Sequence, residues 1–152
     1  MTLLSLKTQF ILKKLSWIRI LNAIKIFLSY YYSKLLGKSH HWGMPITVSI
    51  EPTTACNLKC PECPSGLRSF TRPTGNLKSS FFKNHIDEVY RQLTALTFYF
   101  QGEPYIHPEF LDMVRYANDH NIYTMTSTNG HFLTPENCIK TVESGLDRLI
   151  IS

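Results

Sequence analysis

The sequence predicts an α/β fold built on parallel strands and preceded by a basic amphipathic helical extension. From Ile46 onward, short apolar runs alternate with helix-length amphipathic segments, the pattern of successive βαβ units joined by right-handed crossovers. The segments richest in cysteine, glycine and hydrogen-bonding side chains fall just after those apolar runs. That is the C-terminal end of each strand, where α/β folds assemble their sites. Before Ile46 the composition changes. Residues 1–50 hold seven basic residues (Lys7, Lys13, Lys14, Arg19, Lys25, Lys34 and Lys38) and no acid, while nine basic and eleven acidic residues share the rest. The net charge of +5 therefore conceals two segments with different work, 1–45 and 46–152.

Taken in order, residues 3–36 read as helix with a break near Leu15-Ser16. Past the break, Trp17, Ile20, Leu21, Ile24, Phe27, Leu28, Tyr31 and Leu35 recur at helical spacing on one face. Arg19, Lys25 and Lys34 interrupt the run, which excludes a span of about 20 uncharged apolar residues. The expected use of the stripe is docking on the following domain; a helix lying on an anionic membrane surface is the other reading. No small-residue cleavage pattern follows, so a signal peptide is not expected. Gly37 suits a helix stop, and 38–45 a linker. Ile46–Ile50 reads as the first strand, and Ser65–Asn76 as a long surface loop. Lys78–Leu93 reads as a helix with Phe81, Phe82, Ile86, Val89 and Leu93 on one side, and Ala95–Phe100 as the second strand. Pro108–His120 is a helix with Pro108 in its first turn and Phe110, Leu111, Val114 and Ala117 inward. Ile122–Thr126 is the third strand. Thr134 caps a helix opened by Pro135 and stopped at Gly145, and Leu149–Ile151 begins a fourth strand.

At 152 residues the chain suits one ordinary domain of globular composition. Cys56, Cys60 and Cys63 crowd into eight residues after the first strand, at C-x3-C-x2-C spacing. Three thiols so close argue for a metal in a reducing, cytoplasmic setting rather than for disulfides. Thiolates are soft ligands suited to iron–sulfur clusters, zinc or copper(I). Three of them leave one coordination position without a protein ligand, as a reactive centre needs. The fourth cysteine, Cys138, reads as a small core residue on a helix.

These residues resemble the radical S-adenosylmethionine (SAM) family. The cysteine triplet is similar to the family's cluster motif, Gln101-Gly102-Glu103-Pro104 to its GGEP segment, and Ser127-Thr128-Asn129-Gly130 to the segment after the third strand that touches SAM. The lead-in Thr53-Thr54-Ala55-Cys56-Asn57-Leu58 resembles the SPASM subgroup, whose members often carry a further C-terminal cluster domain. The resemblance covers about 46–152 and implies a partial (β/α) barrel, of which this sequence supplies some three and a half units; the sequence is expected to be the N-terminal part of a longer enzyme. It also implies a [4Fe–4S] cluster on Cys56, Cys60 and Cys63, with SAM on the remaining iron and Gly102, Glu103, Pro104, Ser127, Thr128 and Asn129 contacting SAM. Reductive cleavage to a 5′-deoxyadenosyl radical, hydrogen abstraction from a peptide or small molecule, and an electron donor such as flavodoxin or ferredoxin follow from the same likeness. Nucleic acid is not an expected partner. Two positions depart from the family pattern: Gln101 stands where a glycine is usual, and Glu62 where an aromatic is often found.

The residues by themselves leave other readings open. One is a non-catalytic zinc or iron–sulfur module with His40 or His41 as a fourth ligand. Another is a membrane-peripheral interaction protein working through residues 1–45. Arg68, Arg72 and Lys78 are candidates for an anionic substrate group, although loop cations are more often simply solvated. Tyr99, His107 and His131 lie near strand ends, and His107 is the strongest candidate of the three to line a cavity.

Overall fold

The computed structural model describes residues 6–152. Two helices come first, α1 (Leu6–Lys13) and α2 (Trp17–Leu36). They part at Ser16, whose hydroxyl accepts from the Arg19 N–H at 3.3 Å, an N-cap that restarts the helix after the break. Gly37, in the left-handed region, ends it. Residues 3–5 of the expected helix lie outside the described residues.

Four strands follow, β1 (Thr47–Ser49), β2 (Ala95–Thr97), β3 (Tyr123–Thr128) and β4 (Arg148–Ile151), all parallel and in the spatial order β1-β2-β3-β4. Between them run α3 (Pro64–Leu67), α4 (Ser79–Val89), a 3₁₀ turn (Pro104–Ile106), α5 (Phe110–Asp119) and α6 (Pro135–Glu143). Sequential order in space, with a helix in each crossover, is the βαβ logic anticipated from the alternating pattern. The core lies where α4 and α5 cover one sheet face. Phe82 and Ile86 from α4 and Phe110, Met113, Val114 and Ala117 from α5 pack on Leu93, Leu96, Phe98 and Ile122. Burying each of the larger side chains contributes about 1.5–3 kcal/mol relative to exposure. The opposite sheet face, with Thr47, Ser49, Thr97, Met125 and Ser127, is half-buried or exposed.

Several elements differ from the sequence expectation. The 65–76 loop opens with the short helix α3, and its far end returns to pair with the segment before the cysteines: Thr53 bridges Asn76, and Leu77 N–H donates to Pro52 at 2.8 Å. Phe81 points outward at 54% exposure, because one helical step separates it from the inward Phe82. Helix α5 starts at Phe110; Pro104, not Pro108, opens a helical turn, and His107 and Glu109 lead into α5. Cys138 is exposed rather than core, since α6 turns Thr141 inward to meet the Tyr105 hydroxyl at 2.8 Å.

The largest reversal concerns α2. Its buried residues are polar, Arg19, Asn22 and Ser29, while the apolar stripe faces away. Arg19, 4% exposed, donates to the carbonyls of Tyr90 (3.0 Å), His120 (3.2 Å), Asn121 (2.6 Å) and Lys14. Tyr90 and His120 are the C-caps of α4 and α5. One guanidinium therefore caps two helix ends, where the helix dipole favours a cation and carbonyls lack partners. Burial draws its pKa below the ordinary value, yet arginine stays charged. Asn22 adds a two-way clasp to the Met44 backbone, both bonds at 2.8 Å, and Lys14 pairs with Asp147 at 3.3 Å.

Candidate functional site: a cysteine loop at the strand ends

The cysteine loop leaves β1 and crosses the C-terminal ends of β2 and β3. Three ties hold it there. Glu103 N–H donates to the Ala55 carbonyl at 2.8 Å, Gly102 N–H donates to Ser65 Oγ at 3.0 Å, and Asn129 Nδ2 donates to Asn57 Oδ1 at 2.8 Å. His131 Nδ1 lies 3.1 Å from Asn57 Nδ2 and braces the same side chain. Two glycines permit this closeness. A Cβ on Gly102, whose φ is +78°, would lie 2.1 Å from the Thr53 carbonyl oxygen. A Cβ on Gly66 would lie 2.5 Å from the Cys60 backbone. Neither Gln101 nor Glu103 has a positive φ, so glutamine at position 101 carries no backbone strain.

Glu103 is the hub. At 2% exposure, its Oε1 accepts from Thr128 Oγ1 at 2.8 Å and Tyr105 N–H at 3.2 Å, and its Oε2 accepts from Asn129 N–H at 2.9 Å. One buried carboxylate thus joins the end of β2 to the end of β3. Thr128 and Asn129 are engaged in this network, and Asn129 Oδ1 also accepts from the His131 N–H at 3.0 Å. Pro104 is buried and opens the 3₁₀ turn that carries Tyr105 to Glu103.

Cys56, Cys60 and Cys63 open together on a cavity of about 340 Å³, also lined by Tyr99, Gln101, Gly102, Glu103, Ser127, Thr128 and Asn129. Cys60 is exposed and the other two are half-buried. Among the described residues no three thiol, imidazole or carboxylate groups are gathered as a ready-made metal set. The Cys63 thiol is drawn below its ordinary range, first by the Gly66 backbone N–H and then by Ser65, against an upward push from burial. Thiolate is the ligating form. Gln101 Oε1, on the same cavity, is buried without a hydrogen-bond partner. An unpartnered buried oxygen calls for a donor. Three soft donors, that unpartnered acceptor and a volume within the range of small-molecule sites fit a thiolate-held cluster with a polar ligand beside it.

The remaining candidates fall elsewhere. His107 is 3% exposed but lies outside the cysteine cavity. Its Nδ1 accepts from Glu109 N–H at 3.0 Å, which leaves Nε2 to donate to the Leu77 carbonyl at 2.8 Å. It is a structural histidine. Arg68 and Arg72 line an adjoining groove of about 280 Å³ that shares Cys56 with the main cavity. Arg72 there pairs with Glu51 at 2.6 Å. Lys78 is the N-cap of α4 and lines neither space, and Glu62 is exposed. His40 packs edge-on against Tyr32 at 5.0 Å, and neither it nor His41 lines the cysteine cavity. Sequence reasoning missed Asn57, Ser65 and Thr53 as positioning residues. Asn57, between two cysteines, and Thr53, in the segment leading into them, carry a local signal, and Ser65 does not.

A parallel α/β sheet with an open, thiol-bearing cofactor loop over its strand ends is the class of protein these features define. The chain belongs to the radical SAM superfamily, whose family model matches residues 50–152. Members of that superfamily use a [4Fe–4S] cluster and SAM. Among its relatives is the AdoMet-dependent heme synthase of Methanosarcina barkeri, 33% identical over 108 residues that make up 71% of this chain and 31% of that protein. The mycofactocin maturase MftC of Mycobacterium tuberculosis is 39% identical over 92 residues, 60% of this chain and 23% of that protein. The chain thus spans about a third or less of the curated relatives it matches. The crystal structure of BtrN in complex with AdoMet and 2-DOIA superimposes with a TM-score of 0.62 at 21% identity, covering 71% of this chain and 45% of that one. Streptococcus suis SuiB bound to S-adenosylmethionine gives 0.53 at 20% identity, over 66% and 22% of the two chains. Likeness at those identities concerns the fold.

Proposed function

We propose that this chain is the cluster- and SAM-binding part of a radical SAM enzyme acting on a peptide or small molecule. Cys56, Cys60 and Cys63 would hold a [4Fe–4S] cluster, and Gln101 through Glu103 with Ser127 through Asn129 would border SAM, with Pro104 buried behind them. When bound, the reduced cluster supplies the electron that cleaves SAM to a 5′-deoxyadenosyl radical able to abstract hydrogen from a substrate, with a flavodoxin or ferredoxin as electron source. The chain's own residues divide the remaining work. The three cysteines would hold the iron through their sulfurs, and Ser65 with Gly66 favours the thiolate at Cys63. Gly102 lets the backbone pass close beneath the cysteine loop. The Gln101 amide oxygen, buried without a partner, would accept from an ammonium or amino group of a ligand that reached it. Glu103 keeps both strand ends in register and does so from within the protein. The supporting observation is that the three thiols, the Gln101–Glu103 turn and the end of β3 open on one cavity.

The test is anaerobic reconstitution of the chain with iron and sulfide. The expected product is brown and holds iron and sulfide in equal amounts. Cys56→Ala, Cys60→Ala and Cys63→Ala should each lose them, whereas Cys138→Ala should keep them. Dithionite and SAM should then yield 5′-deoxyadenosine. A colourless protein that takes up zinc and no sulfide would overturn the proposal.

A further inference from the structure

The side of α2 that faces away from the protein is its apolar side. Trp17 is 70% exposed, Phe27 61% and Leu35 83%, and Ile20, Leu21, Ile24, Leu28 and Tyr31 are exposed with them. On a helix of about 100° per residue these eight side chains form one stripe along the whole length of α2. The opposite side is fixed by Arg19, bonded to the ends of α4 and α5, and by Asn22, bonded to the Met44 backbone, so the helix cannot roll over to hide the stripe without uncapping α4 and α5. Lys25 and Lys34 flank the stripe on its two sides by the same spacing, and both are exposed. Lys38 follows just past the helix end. No acidic residue occurs before Glu51.

We infer that α2 is a membrane-surface helix that beds this stripe into an anionic bilayer, with the strand-bearing body held against the membrane by Arg19. The pattern matches interfacial helices: an apolar face with Trp and Tyr, basic residues at its edges able to lift their ammonium groups to the headgroups, and too little uninterrupted apolar length to cross. Charge selects the occupant. Anionic lipid attracts Lys25, Lys34 and Lys38 at close range. A second copy packed stripe to stripe would instead oppose two lysine rows with no acid among residues 1–50 to pair them.

The test uses the full chain and vesicles of phosphatidylcholine with or without phosphatidylglycerol. The chain should float with the phosphatidylglycerol vesicles, weaken as salt is added, and bind neutral vesicles less. The chain has two tryptophans, so Trp42→Phe leaves Trp17 as sole reporter, and its emission should shift to the blue on anionic vesicles. Ile24→Glu with Leu28→Glu should lower partitioning by roughly tenfold or more, the loss expected when a large apolar side chain no longer leaves water. Lys25→Glu with Lys34→Glu should abolish the preference for anionic lipid. Both pairs sit at exposed positions, and both should retain full iron and sulfide uptake, so the outcome is independent of the cluster test. Trp17→Ser, at the end of the helix, offers a milder variant with the same expected direction. Absence from anionic vesicles at low salt overturns the inference. So does unchanged binding by the Ile24→Glu, Leu28→Glu variant, or a concentration-dependent dimer that this variant disperses.

Discussion

Replacing Glu103 with glutamine isolates what the buried carboxylate does. The two side chains have nearly the same shape, so packing is preserved, but one acceptor oxygen becomes an NH₂ donor. In the parent, Oε1 serves Thr128 and Tyr105 while Oε2 serves the Asn129 N–H. With the amide oxygen at the Oε1 position, the NH₂ faces the Asn129 N–H and that donor is orphaned. Flipped, the NH₂ faces the Tyr105 N–H; Thr128 can rotate and accept, but Tyr105 cannot. Either way one backbone N–H loses its partner at a site 2% exposed. A hydrogen bond to a charged group is worth about 1.5–3 kcal/mol and an unsatisfied buried donor costs about 1–3 kcal/mol, two overlapping terms that together predict a loss of about 2–4 kcal/mol. Urea unfolding of the two proteins measures it, and amide exchange at Asn129 locates it. A Gln variant within about 0.5 kcal/mol of the parent, with Asn129 still protected, would refute the role given to Glu103, since that is the ordinary scatter of a neutral surface substitution.

Three further outcomes follow from the same geometry. Arg19→Leu should destabilise by about 2–4 kcal/mol by leaving the end carbonyls of α4 and α5 unpaired, and Arg19→Lys should restore only part, because an ammonium lacks the planar fork that reaches several carbonyls at once; chemical denaturation reads both. Gly102→Ala places a Cβ 2.1 Å from the Thr53 carbonyl at φ +78° and should cost on the order of 2 kcal/mol or more while loosening the cysteine loop, visible as faster alkylation of Cys60 in the metal-free chain. Phe82→Ala should lose about 3–5 kcal/mol, whereas Phe81→Ala, its exposed neighbour, should stay within about 0.5 kcal/mol, and thermal melts of the pair separate them.

Much of the site was legible because its signals are local. Cys56, Cys60 and Cys63 lie within eight residues, and the Gln101–Pro104 and Ser127–Gly130 segments each follow an apolar run whose length marks a strand. The parallel sheet was legible for the same reason, since alternation of strand and helix leaves few topologies. What could not be read was the partnership between segments. Glu103 looks like a ligand-facing acid in sequence, and only the approach of β3 to β2 turns it inward onto Thr128 and Asn129. His107 looks like a residue of the cysteine cavity, but it lies outside that cavity and Leu77, thirty positions earlier, supplies its acceptor. Ser65 reads as the start of an ordinary loop, yet its hydroxyl receives the Gly102 N–H across 37 positions.

Helix α2 carries this furthest. Periodicity identified its apolar face correctly, and the common expectation is that such a face turns toward the core. That expectation assumes that hydrophobic burial is the strongest attachment on offer. Here the convergence of two helix C-termini offers another. Tyr90 and His120 bring unpaired carbonyls and the negative ends of two dipoles to one point, and only a multi-pronged cation satisfies them together. Arg19 is the one arginine before the first strand, and once it is committed there the helix's rotation is fixed, with Ile24 and Leu28 turned outward by the spacing of the turn. The outward apolar face is therefore a consequence of the capping contact. If Arg19→Leu let the helix roll, protease protection should migrate from the Asn22 side to the Ile24 side, a change that simple unfolding of α2 would not produce.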